Sequence, residues 1–464
     1  MANAIELRGK RVLVVGLART GVATGLFCAA RGALVTATDL RSEAEIGEPI
    51  AELRAAGVTL SFGGHDESIL RAQDLLIPSP GVAADAPILL AARAMNITIW
   101  SEIELAYRFL RGRLIGITGS NGKTTTTSLV EHILRQAGFP TILAGNIGTP
   151  LISCVDSTSD DTTTVVELSS FQLELIDKFR PDISVFLNLT PDHLDRHHTL
   201  EAYAAAKARI FGNQTPQDAA ILNADDPATA PYAPSKPQVF WFSRQRFVEQ
   251  GAYLSGDEVI FRCAGRDEAI LRRGDIPLAG AHNLENVLAA VAATRLAGAA
   301  PGAIRDGVKT FAGVEHRLEF VSEIAGVRYY NDSKATNVDA TLKALDAFPG
   351  RLLVILGGKD KGSDYIPLQK PLREKGVLAL LIGAAAAKIE SQIAGSVAID
   401  RAETLERAVE IAHQAAQPGD VVLLAPACAS FDQFQDYEHR GRIFKELVHQ
   451  LERQATSAGA SLGK

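Results

Sequence analysis

The feature that most constrains the chain is a glycine-rich loop between an apolar segment and a helical one. Residues 117–127 read ITGSNGKTTTT; they overlap a predicted strand, Leu114–Thr118, and open a predicted helix, Lys123–Gln136. Glycines let the backbone N–H groups of such a loop curl around phosphate oxygens, and the helix N-terminus adds a favourable dipole. In this pattern Lys123 is expected to reach the outer phosphates of a nucleotide, and the Thr124 hydroxyl to bind Mg²⁺.

The loop departs from the general phosphate-loop pattern at one position. That pattern has a glycine five residues before the glycine of its Gly-Lys pair, and Ile117 stands there instead. The match is the shorter Gly119-x-x-Gly122-Lys123-Thr124. A glycine turn that only caps a helix therefore stays open as the alternative.

Short apolar segments alternate with helical ones along the rest of the chain. Strands buried on both faces and joined by helices are typical of a parallel sheet, so we predict an α/β fold. The predicted strands are Arg11–Val15, Ala33–Thr38, Leu114–Thr118, Thr164–Leu168, Ile183–Leu189, Ala219–Asn223, Glu319–Ile324, Val327–Tyr330, Leu352–Leu356, Val377–Ile382 and Val421–Ala425.

Linkers near residues 112 and 314 divide the chain into three predicted α/β domains. The first, 1–112, and the last, 315–464, are expected to be Rossmann-like. The central domain, 113–314, carries the phosphate loop and is expected to resemble P-loop ATPases. Each is long enough to bury its own core.

Composition and charge limit the classes of function. The 464 residues are 47% apolar and 22% charged, as in an ordinary globular protein, with a formal net charge of −7. Because the chain has no long basic run, we do not expect it to bind nucleic acid through the phosphate backbone. The four cysteines form no CxxC pair, which favours reduced thiols over a zinc site or disulfides. The N-terminus lacks a signal-peptide pattern and the longest apolar run is too short for a bilayer, so we predict a cytoplasmic monomer that binds no membrane.

A second glycine turn, Gly16-x-Ala18-x-x-Gly21, follows the first predicted strand, and Asp39 comes just after the second. It resembles the dinucleotide fingerprint with alanine in the middle, and Asp39 stands about where a ribose-binding acid is expected. Taken alone, the turn favours a nicotinamide dehydrogenase. It equally serves any nucleotide diphosphate, or merely packs a helix on a strand. The turn at residues 79–82, SPGV, would line the same cleft.

Acidic, histidine and lysine side chains follow strands of the central domain. Glu167 lies near the end of a predicted strand beside the phosphate loop, where a carboxylate is well placed for Mg²⁺. The acids and histidines of LNLTPDHLDRHH, residues 187–198, either bind a metal or form a solvated helix face capped by Asp192. Lys207 lies on a helix of small residues; it either reaches water or, buried near a metal, needs a depressed pKa or a modification.

Three polar segments follow strands of the last domain. They are residues 329–337 (YYNDSKATN), 356–362 (LGGKDKG) and 426–434 (PACASFDQF). Open α/β sheets bind ligands at the carboxyl ends of their strands. The lysines and a serine hydroxyl in these segments would suit an amino acid with a carboxylate side chain.

Together these segments resemble the Mur ligase family, whose members use ATP to activate a carboxylate as an acyl phosphate and join it to an amino acid. The motifs that carry the resemblance run in the family order from residue 118 to about 437: TGSNGKTT, ELSSFQLE, LNLTPDHLDRH, GAHNLENVLAA, EHRLE, YNDSKATN, LGGKDKG and PACASFDQF. VGLARTG and SPGV also fit. ELSSFQLE with YNDSKATN and SFDQF is similar to the members that add D-glutamate to UDP-N-acetylmuramoyl-L-alanine, a cytoplasmic step of peptidoglycan precursor synthesis.

The resemblance implies a role for each set of residues. The UDP-sugar substrate would contact Thr20, Asp39, Arg41 and Asn146. ATP would contact Gly119, Ser120, Asn121, Gly122, Lys123, Thr124, Thr125, Thr126, Asn283, Arg317 and Asp332. Two Mg²⁺ ions would be held by Thr124, Glu167, His193 and Lys207 as a carbamate, and the catalytic residues would be Lys123, His193 and Lys207. D-Glutamate would be held by Lys334, Thr336, Lys359 and Ser430, with Tyr437 at an aromatic position of the family.

Three other functions remain as alternatives. A dehydrogenase would bind NAD(P) at residues 16–21 but leaves the phosphate loop unexplained. A regulatory NTPase would hydrolyse its nucleotide without an amino acid and would not need three domains. A folate polyglutamate ligase of the same superfamily would be expected to lack the D-glutamate-adding motifs.

Overall fold

The structure is a computed structural model that describes residues 5–65, 67–278 and 280–461, without the side chains of residues 194, 195 and 455–461. The chain forms two compact units. The first comprises Met1–Ile276 and Glu285–Phe311, and the second comprises Pro277–Leu284 and Ala312–Lys464. The predicted boundaries at 112 and 314 stay predictions.

The N-terminal part of the first unit is a parallel sheet of five described strands in the order β3-β2-β1-β4-β5. The strands are β1 (Arg11–Val15), β2 (Leu34–Asp39), β3 (Thr59–Phe62), β4 (Leu75–Pro78) and β5 (Thr98–Ile99). The helices are α1 (Arg19–Ala30), α2 (Glu43–Ile46), α3 (Pro49–Ala55), α4 (Pro87–Ala94) and α5 (Glu102–Tyr107). The strand order reverses between β1 and β4, and such a switch point is where open α/β sheets bind ligands.

The rest of the first unit is built on a sheet of nine described strands in the order β14-β13-β12-β11-β10-β9-β6-β8-β7. The strands are β6 (Arg113–Thr118), β7 (Thr141–Gly145), β8 (Thr163–Glu167), β9 (Ile183–Phe186), β10 (Ala219–Asn223), β11 (Gln238–Ser243), β12 (Gly251–Ser255), β13 (Glu258–Cys263) and β14 (Arg266–Arg272). Helices in this stretch of the chain are α6 (Lys123–Gln136), α7 (Leu151–Cys154), α8 (Ser170–Leu173), α9 (Leu194–His197), α10 (Leu200–Ala208), α11 (Ala281–Leu296) and α12 (Pro301–Thr310). Strands β8, β9 and β10 are buried along their whole length, as expected of central parallel strands.

The second unit has a sheet of six described strands in the order β15-β16-β20-β17-β18-β19. The strands are β15 (Glu319–Ile324), β16 (Val327–Asn331), β17 (Leu352–Gly357), β18 (Gly376–Ile382), β19 (Ala398–Glu403) and β20 (Val421–Leu424). Its helices include α13 (Val338–Asp346), α14 (Gln369–Lys375), α15 (Ala386–Ile393), α16 (Leu405–Ala415) and α17 (Tyr437–Ser461). Only β15 pairs antiparallel among these described strands, as the predicted hairpin requires.

The three mostly parallel sheets with their connecting helices confirm the predicted α/β fold class. One part of the central sheet was not predicted. Strands β12, β13 and β14 form an antiparallel extension at its edge. Within the described residues, no helix combines the length and apolar character needed to cross a bilayer.

Candidate active site

The predicted phosphate loop lies between the end of β6 and the start of α6. Gly122 ends the loop in the left-handed region, with φ of 84°. A Cβ there would lie 2.3 Å from Oδ1 of Asn286, so the position needs glycine both for its backbone and for the close contact. Helix α6 begins at Lys123, directly after Gly122, so its first N–H groups lie at the loop.

The segment after β9 braces the loop. The Ser120 N–H donates to the Asn188 carbonyl at 2.9 Å, and the Asn121 N–H donates to Asn188 Oδ1 at 2.8 Å. Asn188 Nδ2 returns a bond to the Asn121 carbonyl at 3.0 Å. The Ser120 hydroxyl donates to the Thr190 carbonyl at 2.9 Å. These bonds tie the loop to the segment that follows the neighbouring strand β9.

Two lysines converge on one carbonyl of this loop. Lys123 Nζ donates to the Gly119 carbonyl and to the Ser120 carbonyl, each at 2.9 Å. Lys207 Nζ, from α10, donates to the same Gly119 oxygen at 2.9 Å. Of the two, the Lys123 ammonium is suited to bind phosphates, and it lies beside the buried amine of Lys207.

Lys207 is almost completely buried, with 1% of its surface exposed. Burial, reinforced by the nearby charge of Lys123, lowers the pKa of its amine well below the ordinary value, while Asp192 and Glu167 act in the opposite direction. Its Nζ lies 4.5 Å from the centroid of the Tyr203 ring. Of the two interpretations from the sequence, the structure excludes a lysine that reaches water.

Glu167, at the end of β8, is buried, and its two carboxylate oxygens differ in their surroundings. Oε1 accepts a hydrogen bond of 2.8 Å from Asn146 Nδ2. Oε2 is buried and has no hydrogen-bond partner among the described residues. A buried acceptor with no partner is costly, and a bound cation would satisfy it.

His193 follows β9 in the left-handed region, with φ of 52°. Its ring centroid lies 4.9 Å from that of Phe171 and 6.3 Å from that of Tyr203, the ring that Lys207 also approaches. His197 is turned to other partners: its Nε2 lies 2.9 Å from Ser170 Oγ, inside the fold.

No group of three or more His, Cys, Asp or Glu side chains in the described part of the chain is arranged to hold a metal. The side chain of Asp195 lies outside the described residues. The predicted set relies instead on one glutamate, one histidine, a threonine hydroxyl and a modified lysine. It therefore stays a prediction.

A cavity of about 550 Å³ opens at the switch point of the N-terminal sheet and extends to the loop after β7. Its lining brings together residues predicted to contact the UDP-sugar: Thr20, Asp39, Arg41 and Asn146. Gly16, from the first glycine turn, and the turn at 79–82 lie in the same lining. A Cβ on Gly21 would come within 1.8 Å of the Gly16 carbonyl oxygen, so this turn also requires glycine.

Asp39 and Arg41 form a fixed pair on the wall of this cavity. Arg41 Nε and Nη2 donate to the two Asp39 oxygens at 3.0 and 2.9 Å. The Leu17 N–H donates to Asp39 Oδ2 at 2.6 Å. Burial alone would raise the pKa of Asp39, but the hydrogen bonds from Arg41 and Leu17 outweigh it and lower the pKa to about 2.

In the second unit, the three predicted polar segments follow β16, β17 and β20, which are neighbours in the sheet. Lys359 and Ala429 pair through both backbone bonds, at 2.8 and 3.1 Å, and so join the second segment to the third. Ser430, next to Ala429, is buried. In the first segment, Lys334 Nζ lies 5.4 Å from the ring centroid of Tyr437. These contacts bring four of the residues predicted for the amino acid to one edge of the sheet.

The residues predicted to contact the nucleotide from this unit lie near its start. Asp332 is buried, and burial raises its pKa to about 6 despite the charge of Arg317 and the Leu318 N–H. The Leu318 N–H donates to Asp332 Oδ1 at 3.2 Å. Asn283 is also buried, with its N–H bonded to the Gly280 carbonyl at 3.1 Å.

Sequence reasoning missed three residues at these sites. Asn188 braces the phosphate loop, and Asn286 Oδ1 accepts a bond of 3.3 Å from the hydroxyl of Thr126. Gln172 lies in the cavity lining. All three stand inside motifs quoted above, LNLTPDH, GAHNLEN and ELSSFQLE. Their positions were visible in the sequence, but their contacts come from residues distant along the chain.

Three successive parts of the chain match domain families of Mur ligases. Residues 10–101 match the family described as Mur ligase MurD-like, N-terminal domain; residues 117–294 match the Mur ligase middle domain; and residues 316–428 match the Mur ligase, glutamate ligase domain. A relative in Koribacter versatilis, UDP-N-acetylmuramoylalanine–D-glutamate ligase, is 54% identical over 97% of this chain and 99% of its own. A relative of the same name in Acidobacterium capsulatum is 53% identical over 96% of this chain and 97% of its own.

Solved structures show the same fold. MurF ligase from Thermotoga maritima in complex with ADP matches with a TM-score of 0.60 at 16% identity, covering 96% of each chain. UDP-N-acetylmuramate–alanine ligase MurC from the same organism matches with a TM-score of 0.58 at 19% identity, over 95% of this chain and 99% of its own. With relatives above 50% identity over nearly its whole length, the chain belongs to the Mur ligase family.

Proposed function

We propose that this chain joins D-glutamate to the L-alanyl carboxylate of UDP-N-acetylmuramoyl-L-alanine, converting ATP to ADP and phosphate. The observation that carries the proposal is the convergence of Lys123 and Lys207 on the Gly119 carbonyl, in a loop that opens a helix. The names of the relatives with 53–54% identity support the choice of substrates. The reaction belongs to the synthesis of peptidoglycan precursors, and we place it in the cytoplasm, with the chain acting as a monomer.

ATP binds with its phosphates at the start of α6. Lys123 leaves its two loop carbonyls for the outer phosphate oxygens, and the helix N-terminus adds N–H donors and a favourable dipole. In phosphoryl transfer, the protein mainly positions the reacting groups and neutralises charge on the phosphate oxygens. The bonds from Asn188 to the loop supply that rigidity.

The donor set fits Mg²⁺. The unpartnered Oε2 of Glu167 is a buried carboxylate oxygen, and Thr124 stands in the first turn of α6, where a hydroxyl ligand is expected. His193 and a carbamylated Lys207 complete the proposed set. When bound, the metal neutralises charge on the phosphate oxygens.

The burial of Lys207 supports its carbamylation. The lowered pKa favours the neutral, nucleophilic form of its amine. The nitrogen adds to dissolved CO₂, forming one N–C bond and releasing one proton. The product is an anion, which attracts the Lys123 ammonium and is able to bind a cation.

The UDP-sugar occupies the cavity at the switch point of the N-terminal sheet, with Thr20, Asp39 and Arg41 on one side and Asn146 on the other. Asn146 also donates to Glu167 Oε1, at 2.8 Å. One residue thus joins the cavity to the proposed metal ligand, which orients the substrate carboxylate toward ATP.

The chemistry then runs in two steps. An oxygen of the L-alanyl carboxylate attacks the γ-phosphorus of ATP and forms the acyl phosphate. The bond between the γ-phosphorus and the β,γ-bridging oxygen breaks, and ADP leaves. The amine of D-glutamate, held by Lys334, Thr336, Lys359 and Ser430, attacks the carbonyl carbon of the acyl phosphate. Phosphate leaves and the amine loses a proton, giving the amide. Because an acyl phosphate hydrolyses in water, the second step requires exclusion of solvent.

A substrate-omission experiment tests the proposal. Phosphate release is measured with ATP and Mg²⁺, adding UDP-N-acetylmuramoyl-L-alanine and D-glutamate together, singly or not at all. Release that needs both supports the ligase. Release that needs neither indicates an NTPase, and a change in NADH fluorescence on mixing with the protein would favour the dehydrogenase.

A further inference from the structure

Arg440 is the largest completely buried side chain among the described residues, with 0% exposed. It lies in the first turn of α17, and its guanidinium bonds two of the polar segments. Nε donates to Ser333 Oγ at 2.9 Å, and Nη2 donates to the Ser333 carbonyl at 2.8 Å. Nη1 donates to the Cys428 carbonyl at 3.3 Å and reaches the Ala429 carbonyl at 3.5 Å.

All of these acceptors are neutral. Buried arginines are normally paired with a carboxylate, because an isolated buried charge is costly. Arg440 has no ion pair with an Asp or Glu within the described ranges of the chain. The nearby Asp432 carboxylate accepts the Ala384 N–H instead, at 2.9 Å. Burial lowers the pKa of Arg440 to about 10, which still leaves it charged at neutral pH.

Two sources of positive charge coincide at the start of α17. The Arg440 guanidinium lies there, and the helix dipole has its positive end there. Stability alone does not require a charge here, because an apolar side chain of similar volume is often as stable as a buried ion. A buried cation without a carboxylate partner instead suits a site that binds an anion.

The segments that Arg440 ties together are those predicted to hold the amino acid. Ser333 precedes Lys334, and Cys428 and Ala429 precede Ser430. Ala429 in turn pairs with Lys359 through two backbone bonds. Each of these three proposed ligands is therefore a neighbour, in sequence or by backbone pairing, of a residue that Arg440 holds.

The close approach is built into the backbone. Gly358 has φ of 132°, and a Cβ there would lie 3.2 Å from Arg440 Nη1 and 2.3 Å from the Ala429 carbonyl oxygen. A side chain at this position would separate the segment after β17 from the one after β20. The glycine of LGGKDKG thus lets the lysine segment pack on the carbonyls that the arginine holds.

Resting on the proposed function, we propose that Arg440 is the positioning residue of the amino-acid site. It fixes the Ser333–Lys334 and Cys428–Ser430 segments, and its unpaired charge favours an amino acid with a second carboxylate over a neutral isostere.

The test compares Arg440→Met, which removes the charge at similar length, with Arg440→Lys, which keeps it. Arg442→Met is the matched control, because Arg442 is an exposed arginine on the same helix. For each variant, KM is measured for D-glutamate, for ATP and for the UDP-sugar, and the kcat/KM ratio of D-glutamate to D-glutamine is determined.

We expect Arg440→Met to raise KM for D-glutamate about tenfold or more and to lower the preference over D-glutamine by a similar factor. KM for the UDP-sugar should stay within about twofold of wild type, because none of its proposed contacts is bonded to Arg440. KM for ATP should rise less than KM for D-glutamate, although Ser333 adjoins Asp332, a residue proposed to contact ATP. Arg440→Lys should retain most of the preference, and the Arg442→Met control should match wild type.

Equal rises in all three KM values, or an unchanged preference in Arg440→Met, would overturn the inference. If that variant loses its cooperative thermal transition, Ser333→Ala decides in its place. Its KM for D-glutamate should then rise about threefold or more, because the hydroxyl loses the bond from the guanidinium and its own bond to the Tyr437 carbonyl; an unchanged value overturns the inference. Absence of D-glutamate-dependent phosphate release in the wild type would instead reject the proposed function itself.

Discussion

Lys207 Nζ donates a 2.9 Å hydrogen bond to the carbonyl oxygen of Gly119, so the buried amine of α10 lies directly against the phosphate loop. That loop already holds the Lys123 ammonium, and like charges this close disfavour each other. The lowered pKa of Lys207 favours its neutral amine, and the proposed carbamylation would convert that amine into an anion.

Lys207→Met should lower turnover about a hundredfold or more, because the proposed metal ligand is lost. The fold should be retained, because methionine replaces the buried lysine side chain at similar length. Intact-mass measurement of the wild type in bicarbonate should show the added mass of one CO₂, absent in Lys207→Met. As pH falls through the lowered pKa, the amine protonates and the adduct should be lost. An unmodified but fully active wild type would contradict this role.

Gly122→Ala should raise KM for ATP and lower stability by about 1–3 kcal/mol, since it combines a positive φ with a Cβ 2.3 Å from Asn286 Oδ1. Gly138→Ala is the matched control, because Gly138 has φ of 86° and a Cβ added there would meet nothing within 4 Å. Urea unfolding and ATP kinetics of both variants separate the backbone cost from the contact. Equal losses of stability and equal KM values for ATP in the two variants would show that the contact with Asn286 has no effect.

Arg41→Ala should raise KM for UDP-N-acetylmuramoyl-L-alanine about tenfold and leave KM for ATP within about twofold, because Arg41 lies in the cavity lining. Arg11→Ala controls for loss of an arginine–aspartate pair, since Arg11 bonds Asp74 at 2.9 Å in the same sheet but lies outside that lining. Steady-state kinetics with each substrate varied in turn measure the difference. A UDP-sugar KM that moves equally in both variants would remove Arg41 from the site.

Asp39 should make stability fall at acid pH. Its pKa in the folded chain is about 2, below the value near 3.9 of an unfolded chain, so the unfolded state binds more protons between these values. Its contribution, on the order of 1–2 kcal/mol, is present above about pH 4 and is lost as pH falls toward 2. Urea unfolding of wild type and Asp39→Asn between pH 3 and pH 6 should show curves that converge on acidification. Parallel curves would contradict the assignment.

Much of the fold was predictable because its signals are local. The strand at Arg11–Val15 and the helix at Lys123–Gln136 have the predicted bounds, since short apolar runs and a glycine turn mark both. The extension β12–β14 was missed because β12 has only five residues, and because β13 and β14 have short apolar runs between charged or polar ends.

The site was predictable to the extent that its residues stand next to a strand end or a glycine turn. Glu167 and Lys123 have such signals. Arg440 has none, because it lies within a helix and its importance comes from carbonyls more than ten residues away. Asn188 and Asn286 are similar: a polar residue near a motif gives no indication of which loop it will brace. Those contacts exist only once the sheets have formed.

The most direct test of the central claim is incorporation of isotope-labelled glutamate into the UDP-linked product, followed by mass spectrometry alongside phosphate release. We predict one labelled D-glutamate for each phosphate released, no incorporation of L-glutamate, and loss of both signals by about a thousandfold in Lys123→Ala. Phosphate release without incorporation, or near-normal turnover in Lys123→Ala, would contradict the account.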